Sequence, residues 1–583
     1  MRRLIEHRGL AAVLDTTSAT LDAAMGDPDH AEVSGSLRAA TDAHPDAALL
    51  GAFVGPLLAH ASADEELGLL RRARDLWDRG LAAAGELHTA RIELELALTR
   101  DDVPDPVNVL QMGFDRLAAL HPTVKAVLQE AQGLKADIDK LEHIRPHPRQ
   151  RDETSVSWGW YDAFAGRRGH AFVDSLLTTA TSERQKAVAA GALAGYAGHV
   201  AGSAFLGAVV GGPRRQHRFR DRLARNSLGA WLHHTIGTPD AGALAERLRF
   251  ERGEEPTIPA DLASLLETAL GEAYPSRALP DLALGFGRMV EHLELLDSFR
   301  VPPPPEPPPL VPVAEGSGGT SEFQTFDQPE DPNGPTIVLS PETDHSAPGV
   351  SSQKKAQGDV CLYVLLLIAT LGLAYLLWCI GRLTTDKKCG IEDFLGAASP
   401  EEPDPRAPQA NTQTLQTLRE PENANHVLGD VYQLELRLWQ AFAAARSFMI
   451  VCGLLYPDPS ELAAPLHQQF LKSPYQGPWP LATPTDEDES YALPPATPAE
   501  QPTAPTPFPD RGPDWLLHVD LVDNDSTFSE VVLATLRSHV AGDPVNLDLD
   551  ADRGRLHPAW SVAPGASVRD QPLSVQVLPY GAE

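Results

Sequence analysis

Cysteine is scarce in this chain of 583 residues, which contains only Cys361, Cys379, Cys389 and Cys452. These four form no CxxC pair and no alternating Cys/His pattern, so a disulfide scaffold and a thiolate zinc module are both excluded. Positive charge is scarce too, with 48 Lys plus Arg against 80 Asp plus Glu and a formal net charge of -32. Because a phosphate backbone is a poor partner for such a chain, nucleic acid is not expected.

Familiar catalytic motifs are missing as well, including a Gly-rich phosphate loop, a GxSxG elbow and HExxH. The segment around His199, GYAGHVAGSAFLG, is similar to the helical zinc-dependent phospholipase C family. However, Ser203 and Gly207 stand where that pattern has its acid and its second histidine, and zinc catalysis needs three protein ligands. His233 and His234 point about 100° apart on a helix, so both cannot face one metal. We therefore expect no catalytic residue, no metal and no cofactor.

Proline, by contrast, is abundant, with 52 residues where the usual share is about 5%. It is concentrated in residues 301–359, which begin VPPPPEPPPLVPVAEGSGG, and in the acidic stretch 473–513. Both compositions predict disordered segments that cannot build a core. As a chain with an end-to-end distance of about 5–6 Å times the square root of its length, the first would reach about 45 Å. That reach suits a tether better than an enzyme acting on lipid.

The run Val360–Ile380, VCLYVLLLIATLGLAYLLWCI, contains no charged residue and no proline. As a helix rising about 1.5 Å per residue it would be about 32 Å long, which matches the hydrocarbon core of a bilayer. Aromatic rings near the ends of the run favour the headgroup boundary. We therefore predict a single transmembrane helix, marked by Val360, Tyr363, Gly372, Tyr375, Trp378 and Ile380.

A second apolar segment, Leu438–Tyr456, carries Arg446 near its middle. An arginine at the centre of a span costs about 2.5–3.5 kcal/mol even on lenient scales. The segment therefore predicts an amphipathic helix, either soluble or lying at an interface.

The orientation of the span is not decided by nearby charge, since Lys354 and Lys355 precede it and Arg382, Lys387 and Lys388 follow it. The N-terminus, MRRLIEHRGLAAVLD, shows no cleavable export signal because charged residues interrupt its apolar core. A long N-terminal segment made before its only hydrophobic signal should stay on the side of synthesis. We expect a single-pass plasma-membrane protein with a cytoplasmic N-terminus and an extracytoplasmic C-terminus.

Residues 1–150 have apolar positions three and four apart, which predicts a helical bundle broken at Val103–Pro106. Residues 151–300 form a second helical unit, whose Ala/Gly-rich centre predicts a tightly packed soluble helix pair. Residues 381–472 contain a juxtamembrane and helical segment. Residues 514–583 predict a small α+β domain, because strand-like alternation surrounds the helical pattern STFSEVVLATLRSHV. The expected fold class is thus mainly α with one membrane helix and a small α+β C-terminal domain.

Two groups of residues are candidate partner-binding sites. The aromatic group SWGWYDAF is most simply core packing, and it becomes a binding anchor if it is exposed. The arginine cluster reverses the acidic charge of the chain, which predicts either a contact with an acidic partner or anionic lipid, or a solvated helix face. The candidates are Trp158, Trp160, Tyr161, Arg214, Arg215, Arg218, Arg220, Arg222 and Arg225.

The chain is organised as a helical body with SWGWYDAF and the Ala/Gly helix, a PPPPEPPP linker, one predicted span and an acidic C-terminal part. It resembles the CisA-like membrane adaptor proteins of actinomycete contractile injection systems. The resemblance implies that the N-terminal body recruits a phage-tail-like particle, through baseplate or sheath proteins, to the membrane and promotes firing and cell death. It carries no catalytic residues onto this chain.

Two other functions fit the sequence. One is a single-pass signalling protein with an outer sensor domain and inner helices that bind a regulator. The other is a degenerate zinc-phospholipase-like enzyme built around His199.

Overall fold

The computed structural model describes residues 6–26, 28–62, 65–141, 159–166, 168–210, 218–250, 255–275, 277–312, 408–472 and 528–542. Within these ranges the regular structure is helical and no strand occurs. The expected mainly α class is therefore confirmed for the described part of the chain.

We call the described part of residues 6–312 the N-terminal body. Its helices are α1 (His7–Ala24), α2 (Ala31–Ala43), α3 (Pro45–Ala52), α4 (Val54–His60), α5 (Glu65–Thr99), α6 (Pro106–Ile138), α7 (Trp160–Gly166), α8 (Gly169–Thr179), α9 (Glu183–Val210), α10 (Arg218–Ile236), α11 (Ala241–Arg247), α12 (Ala260–Ala273) and α13 (Leu282–Leu296).

The described residues after 408 form α14 (Thr412–Leu418), α15 (Pro421–Val451), a 3-10 turn (Glu461–Ala463), α16 (Pro465–Lys472) and α17 (Phe528–Val540). The helix expected from STFSEVVLATLRSHV is confirmed as α17. The strands expected on either side of it lie outside the described residues, so the α+β domain stays a prediction.

Helix α9 is the central helix of the N-terminal body. Its middle is built from Ala, Gly and other apolar residues, and a helix that is apolar on every side is stable only when it is buried. It packs tightly against α3, because a Cβ added to Gly191 would overlap the carbonyl of Ala48 and one added to Gly51 would overlap that of Val188. The tightly packed helix pair expected from the Ala/Gly composition is confirmed, with α3 as the partner.

Helices α5 and α6 form an antiparallel hairpin, which we call the arm. Buried residues of α5 recur three and four apart, from Leu67 through Trp77 to Leu98, so one face is apolar. Helix α6 begins at Pro106, and the carboxylate of Asp105 accepts a hydrogen bond from the Asn108 N–H at 3.3 Å. The expected break and both flanking helices are confirmed.

The main apolar core does not stop at residue 150, where the sequence predicted a boundary between two units. Leu49 and Leu50 of α3 share this core with Val188 and Leu193 of α9, and all four are fully buried. The expected division is corrected for this reason, because α2 and α3 from before residue 150 pack on α9 from after it.

The disordered linker expected from residue 301 also needs a correction, since residues 301–312 lie along α15. An extended proline-rich chain forms no hydrogen bonds within itself. Here its backbone groups form hydrogen bonds with side chains of α15 instead. The Trp439 Nε1–H donates to the Pro302 carbonyl at 2.8 Å. Asn425 donates to the Val311 carbonyl at 2.9 Å and accepts from its N–H at 2.8 Å.

The rest of that linker and the whole run Val360–Ile380 lie outside the described residues, and so does the proline-rich segment 473–513. Among the described helices, none combines the length and the apolar character that a membrane crossing requires. The second apolar segment is confirmed as a helix over residues 438–451, which form the end of α15 with Met449 and Ile450 in the main core, and residues 452–456 follow the helix.

Candidate functional site

Three buried arginines connect the N-terminal body to residues 452–461, and we call this contact the arginine seam. Arg8 of α1, Arg222 of α10 and Arg446 of α15 are only 4%, 4% and 7% exposed. Each donates to a backbone carbonyl across the contact. The pairs are Arg8 Nη2 to Pro457 O at 2.9 Å, Arg222 Nε to Gly453 O at 2.7 Å, and Arg446 Nη1 to Phe299 O at 2.9 Å.

A carboxylate beside each guanidinium balances its charge. Arg8 Nε lies 2.8 Å from a Glu6 oxygen, and Arg222 Nη1 lies 3.0 Å from a Glu66 oxygen on α5. Arg446 Nη2 lies 2.9 Å from Glu461 and 2.7 Å from Asp458. A buried charge needs such a partner. Each of the three arginines has one, so the charge of each guanidinium is balanced within the seam.

Burial and the neighbouring charges together set the pKa values of the seam. Burial raises the pKa of Glu6 above its usual value, although the neighbouring Arg8 acts in the opposite direction. It likewise raises the pKa of Asp458 against the lowering effect of Arg446. Burial alone would lower the pKa of Arg446, but Glu461 and Asp458 raise it overall, so this arginine stays charged.

Gly453 makes the close approach of the two sides possible. It follows α15 with φ +74, in the left-handed region that favours glycine. Its N–H donates to Ile450 O and the next N–H, of Leu454, donates to Met449 O, both at 2.9 Å. A Cβ at this position would lie 2.8 Å from Arg222 Cγ, so a larger residue would push the guanidinium away from its carbonyl.

Asn226 and Ser227 of α10 extend the seam. The Asn226 amide lies 3.4 Å from the Gly453 carbonyl and 3.3 Å from that of Leu455. Ser227 Oγ donates to Leu223 O and lies 2.8 Å from His467 Nδ1 on α16. With its own proton committed, the serine accepts from the imidazole N–H. Burial lowers the pKa of His467 to about 4, so its ring is neutral at pH 7.

A group of buried histidines lies next to the seam. The ring of His60 on α4 lies 4.9 Å from that of His292 on α13, which lies 6.0 Å from His7 on α1. His7 Nδ1 is 2.7 Å from the Tyr456 hydroxyl, beyond which the guanidinium of Arg8 covers the tyrosine ring. The histidines therefore connect three helices of the body to the same segment as the arginines do.

The arrangement can bind a peptide segment by its backbone. Guanidinium groups held by carboxylates offer fixed donors to carbonyl oxygens, and hydrogen bonds from charged donors are stronger than those between neutral groups. In the described structure, the occupant is the chain itself, at residues 453–457.

The predicted aromatic anchors lie in the interior or at its edge. Tyr161 is 3% exposed and belongs to the main core. Trp160 packs edge to face on Tyr274, donates its Nε1–H to the Ala278 carbonyl and is covered by the guanidinium of Arg277. The simpler interpretation, core packing, fits both residues. Trp158 lies outside the described residues.

The six arginines of the predicted cluster differ in where the structure places them. Arg222 and Arg225 are buried, and the partner of Arg225 is Asp221 at 2.8 Å. The expectation of an outward-facing basic surface is corrected for these two, because both charges are balanced inside the fold. Arg218 and Arg220 belong to the first turn of α10, and Arg214 and Arg215 lie outside the described residues.

The histidines considered as metal ligands do not come together. His199 is buried in α9 with Ser203 one turn later, and on α10 His233 is buried whereas His234 is exposed. The adjacent pair thus points apart, as helix geometry predicts. Within the described ranges, no group of three or more His, Cys, Asp or Glu could hold a metal ion.

Sequence reasoning missed Arg8, Gly453 and His467. One signal for the seam was present, since Arg446 interrupts an apolar run and a buried arginine needs acceptors. No protein-family model matches the chain, and it matches neither a curated protein nor a solved structure. Its function is therefore argued from its own geometry.

Proposed function

We propose that this protein is a non-enzymatic membrane adaptor. Its helical body attaches to the plasma membrane through residues 360–380 and binds a cytoplasmic, phage-tail-like contractile particle there, which promotes firing of the particle and cell death. The observation that carries the proposal is how the structure anchors both ends of residues 313–407, which contain the hydrophobic run.

Both anchors lie on the same part of the protein. At the first end, Val311 pairs with Asn425 of α15. At the second, the Ala410 N–H donates to the side chain of Gln111 on α6 at 2.7 Å, and Gln111 donates to the Pro408 carbonyl at 3.3 Å. Val311 and Ala410 also pack against the same small apolar core, which joins the arm to α14 and α15.

This geometry supports attachment through the arm. Helix α5 is 35 residues long, or about 50 Å at about 1.5 Å per residue, so the arm is a rigid extension of the body. Residues 313–407, which include the hydrophobic run, begin and end at this part of the body, so insertion of the run would bring the same part of the body toward the membrane. The contractile particle as partner is supported by the order of parts in the sequence.

One element of the sequence-based expectation conflicts with the structure. A single crossing by residues 360–380 puts residues 408–472 on the opposite side from residues 6–312. The seam contacts, such as Arg222 to Gly453 and Arg8 to Pro457, then cannot form. We therefore retain membrane attachment in the proposal and leave out the extracytoplasmic placement of the C-terminal part.

Membrane attachment is tested by charge placed in the run. The double variant Leu367→Arg with Leu371→Arg adds two arginines near its centre, at a cost of about 2.5–3.5 kcal/mol each. We expect the full-length wild type in the membrane fraction and the double variant in the soluble fraction. The control Thr384→Arg with Thr385→Arg adds the same charge outside the run and should stay with the membrane. A soluble wild type contradicts the proposal.

The partner is tested by pull-down of the tagged full-length chain from detergent-treated cells. Recovery of sheath or baseplate proteins supports the proposal, and membrane-docked particles should disappear from cells that lack the gene. A transcription regulator recovered in their place would favour a signalling protein and overturn the adaptor function.

A further inference from the structure

We infer that residues 408–472 are the built-in ligand of the arginine seam, so that they complete the N-terminal body and both flanks of the hydrophobic run lie on one side of the bilayer. The first half of this inference concerns the fold alone. The second half rests on the proposed membrane attachment.

The polar contacts show that each side needs the other. Arg8 and Arg222 of the body donate to Pro457 and Gly453, whereas Arg446 donates back to Phe299. Removing one side would leave each guanidinium with its carboxylate but without its carbonyl acceptor, and a hydrogen bond from a charged donor contributes about 1.5–3 kcal/mol. Two independently folded modules would not bury charged donors whose carbonyl acceptors lie on the other module.

The apolar contacts lead to the same conclusion. Trp77 of the arm packs edge to face on Phe299 of the body at 5.6 Å and on Phe442 of α15 at 4.9 Å. Gly80 allows this approach, because a Cβ there would lie 3.0 Å from the Phe442 ring. Phe470 of α16 is fully buried in the main core. All three apolar clusters of the described residues therefore contain residues from after position 408.

Helix α17 adds a third, independent connection. Ser529 Oγ lies 2.9 Å from Thr20 Oγ1 on α1, and His539 Nδ1 lies 2.7 Å from an Asp174 oxygen on α8. Phe528 and Val532 are fully buried against the body. Segments far beyond the hydrophobic run thus pack on helices that precede it.

The consequence for topology is direct. If residues 360–380 enter the membrane while both flanks stay in one body, the chain must enter and leave through the same face. A second crossing would have to carry Asp386, Lys387 and Lys388, which are too costly to place in hydrocarbon. The described residues on both flanks of the run then lie on one side of the membrane.

The shared body is tested on the full chain, with a specific protease site inserted between Val350 and Ser351 and a tag on the N-terminus. After purification and cleavage, we expect residues 351–583 to stay bound to the tagged fragment. Combining Arg222→Ala with Arg446→Ala should speed release at least tenfold. Arg437→Ala, on the same helix but partly exposed, is the control and should not. Immediate separation of the two unsubstituted fragments overturns the inference.

The side of the membrane is tested with single cysteines in a chain whose four native cysteines are replaced by alanine. Glu267→Cys on α12 reports on the body and Ser460→Cys reports on the seam, and both positions are exposed. With a membrane-impermeant maleimide, both should react only after protoplasts are permeabilised. Reaction of Ser460→Cys alone in intact protoplasts overturns the one-sided topology. A soluble full-length chain whose cleaved fragments stay together would refute the membrane attachment and leave the shared body supported.

Discussion

Replacement of Gly453 by alanine tests the seam at the point where its two sides come closest. Alanine at φ +74 costs about 1–2 kcal/mol for the left-handed backbone. The new Cβ would also lie 2.8 Å from Arg222 Cγ and 3.1 Å from Nε, displacing the guanidinium from the Gly453 carbonyl. A hydrogen bond from a charged donor contributes about 1.5–3 kcal/mol, so we expect Gly453→Ala to lower the free energy of unfolding by about 3–5 kcal/mol.

Gly237 provides the matched control, because it follows α10 with φ +79 and has nothing within 4 Å of an added Cβ. Gly237→Ala should therefore cost only the backbone contribution, about 1–2 kcal/mol. The measurement is urea unfolding of the full-length variants, followed by far-ultraviolet circular dichroism. Equal destabilisation by the two substitutions would refute the reasoning, since it would show that the Arg222 contact contributes nothing.

Three further outcomes follow from the described contacts. Burial lowers the pKa of His467 from 6.5 to about 4, so protons bind the unfolded chain first as the pH falls; about 3 kcal/mol of stability should be lost between pH 6.5 and 4. In urea titrations at several pH values, His467→Gln should remove that part of the pH dependence, and an unchanged slope would contradict the assignment. Gly191→Ala should destabilise the body by about 3 kcal/mol through overlap with α3, whereas Gly68→Ala on the open face of α5 should be neutral or slightly stabilising, as thermal melts would show. Asn425→Ala removes two hydrogen bonds to Val311 and should speed exchange of that amide at least tenfold by mass spectrometry; unchanged exchange would mean that residues 301–312 are held by other contacts.

The helices could be predicted where their signals are local. The apolar spacing of α5, the break at Val103–Pro106 and the Asp105 cap each lie within a few residues of the structure they determine. The burial of α9 could be predicted too, because a helix without a polar face has no surface to offer water. These signals need no knowledge of distant parts of the chain.

The seam could not be predicted, because its partners lie far apart in sequence. Nothing near Arg8 indicates that its acceptor is the carbonyl of Pro457. The sequence around the arginines of α10 shows only a local excess of positive charge, which favours an outward-facing position. The burial of Arg222 depends on Glu66, which comes from α5, and that of Arg225 depends on Asp221, which is itself buried. The single local signal, Arg446, indicated a buried polar contact without identifying its partner.

The seam also delays the completion of the N-terminal body. Residues 453–472 are synthesised after the hydrophobic run. When that run leaves the ribosome, the side chains of α1 and α10 that contact residues 453–472 in the folded protein therefore still lack these partners. At about 5–20 residues per second, synthesis from residue 380 to residue 472 takes roughly 5 to 20 s. Any factor that recognises nascent hydrophobic segments therefore meets an incomplete body, and the membrane attachment proposed above would begin before the core is complete.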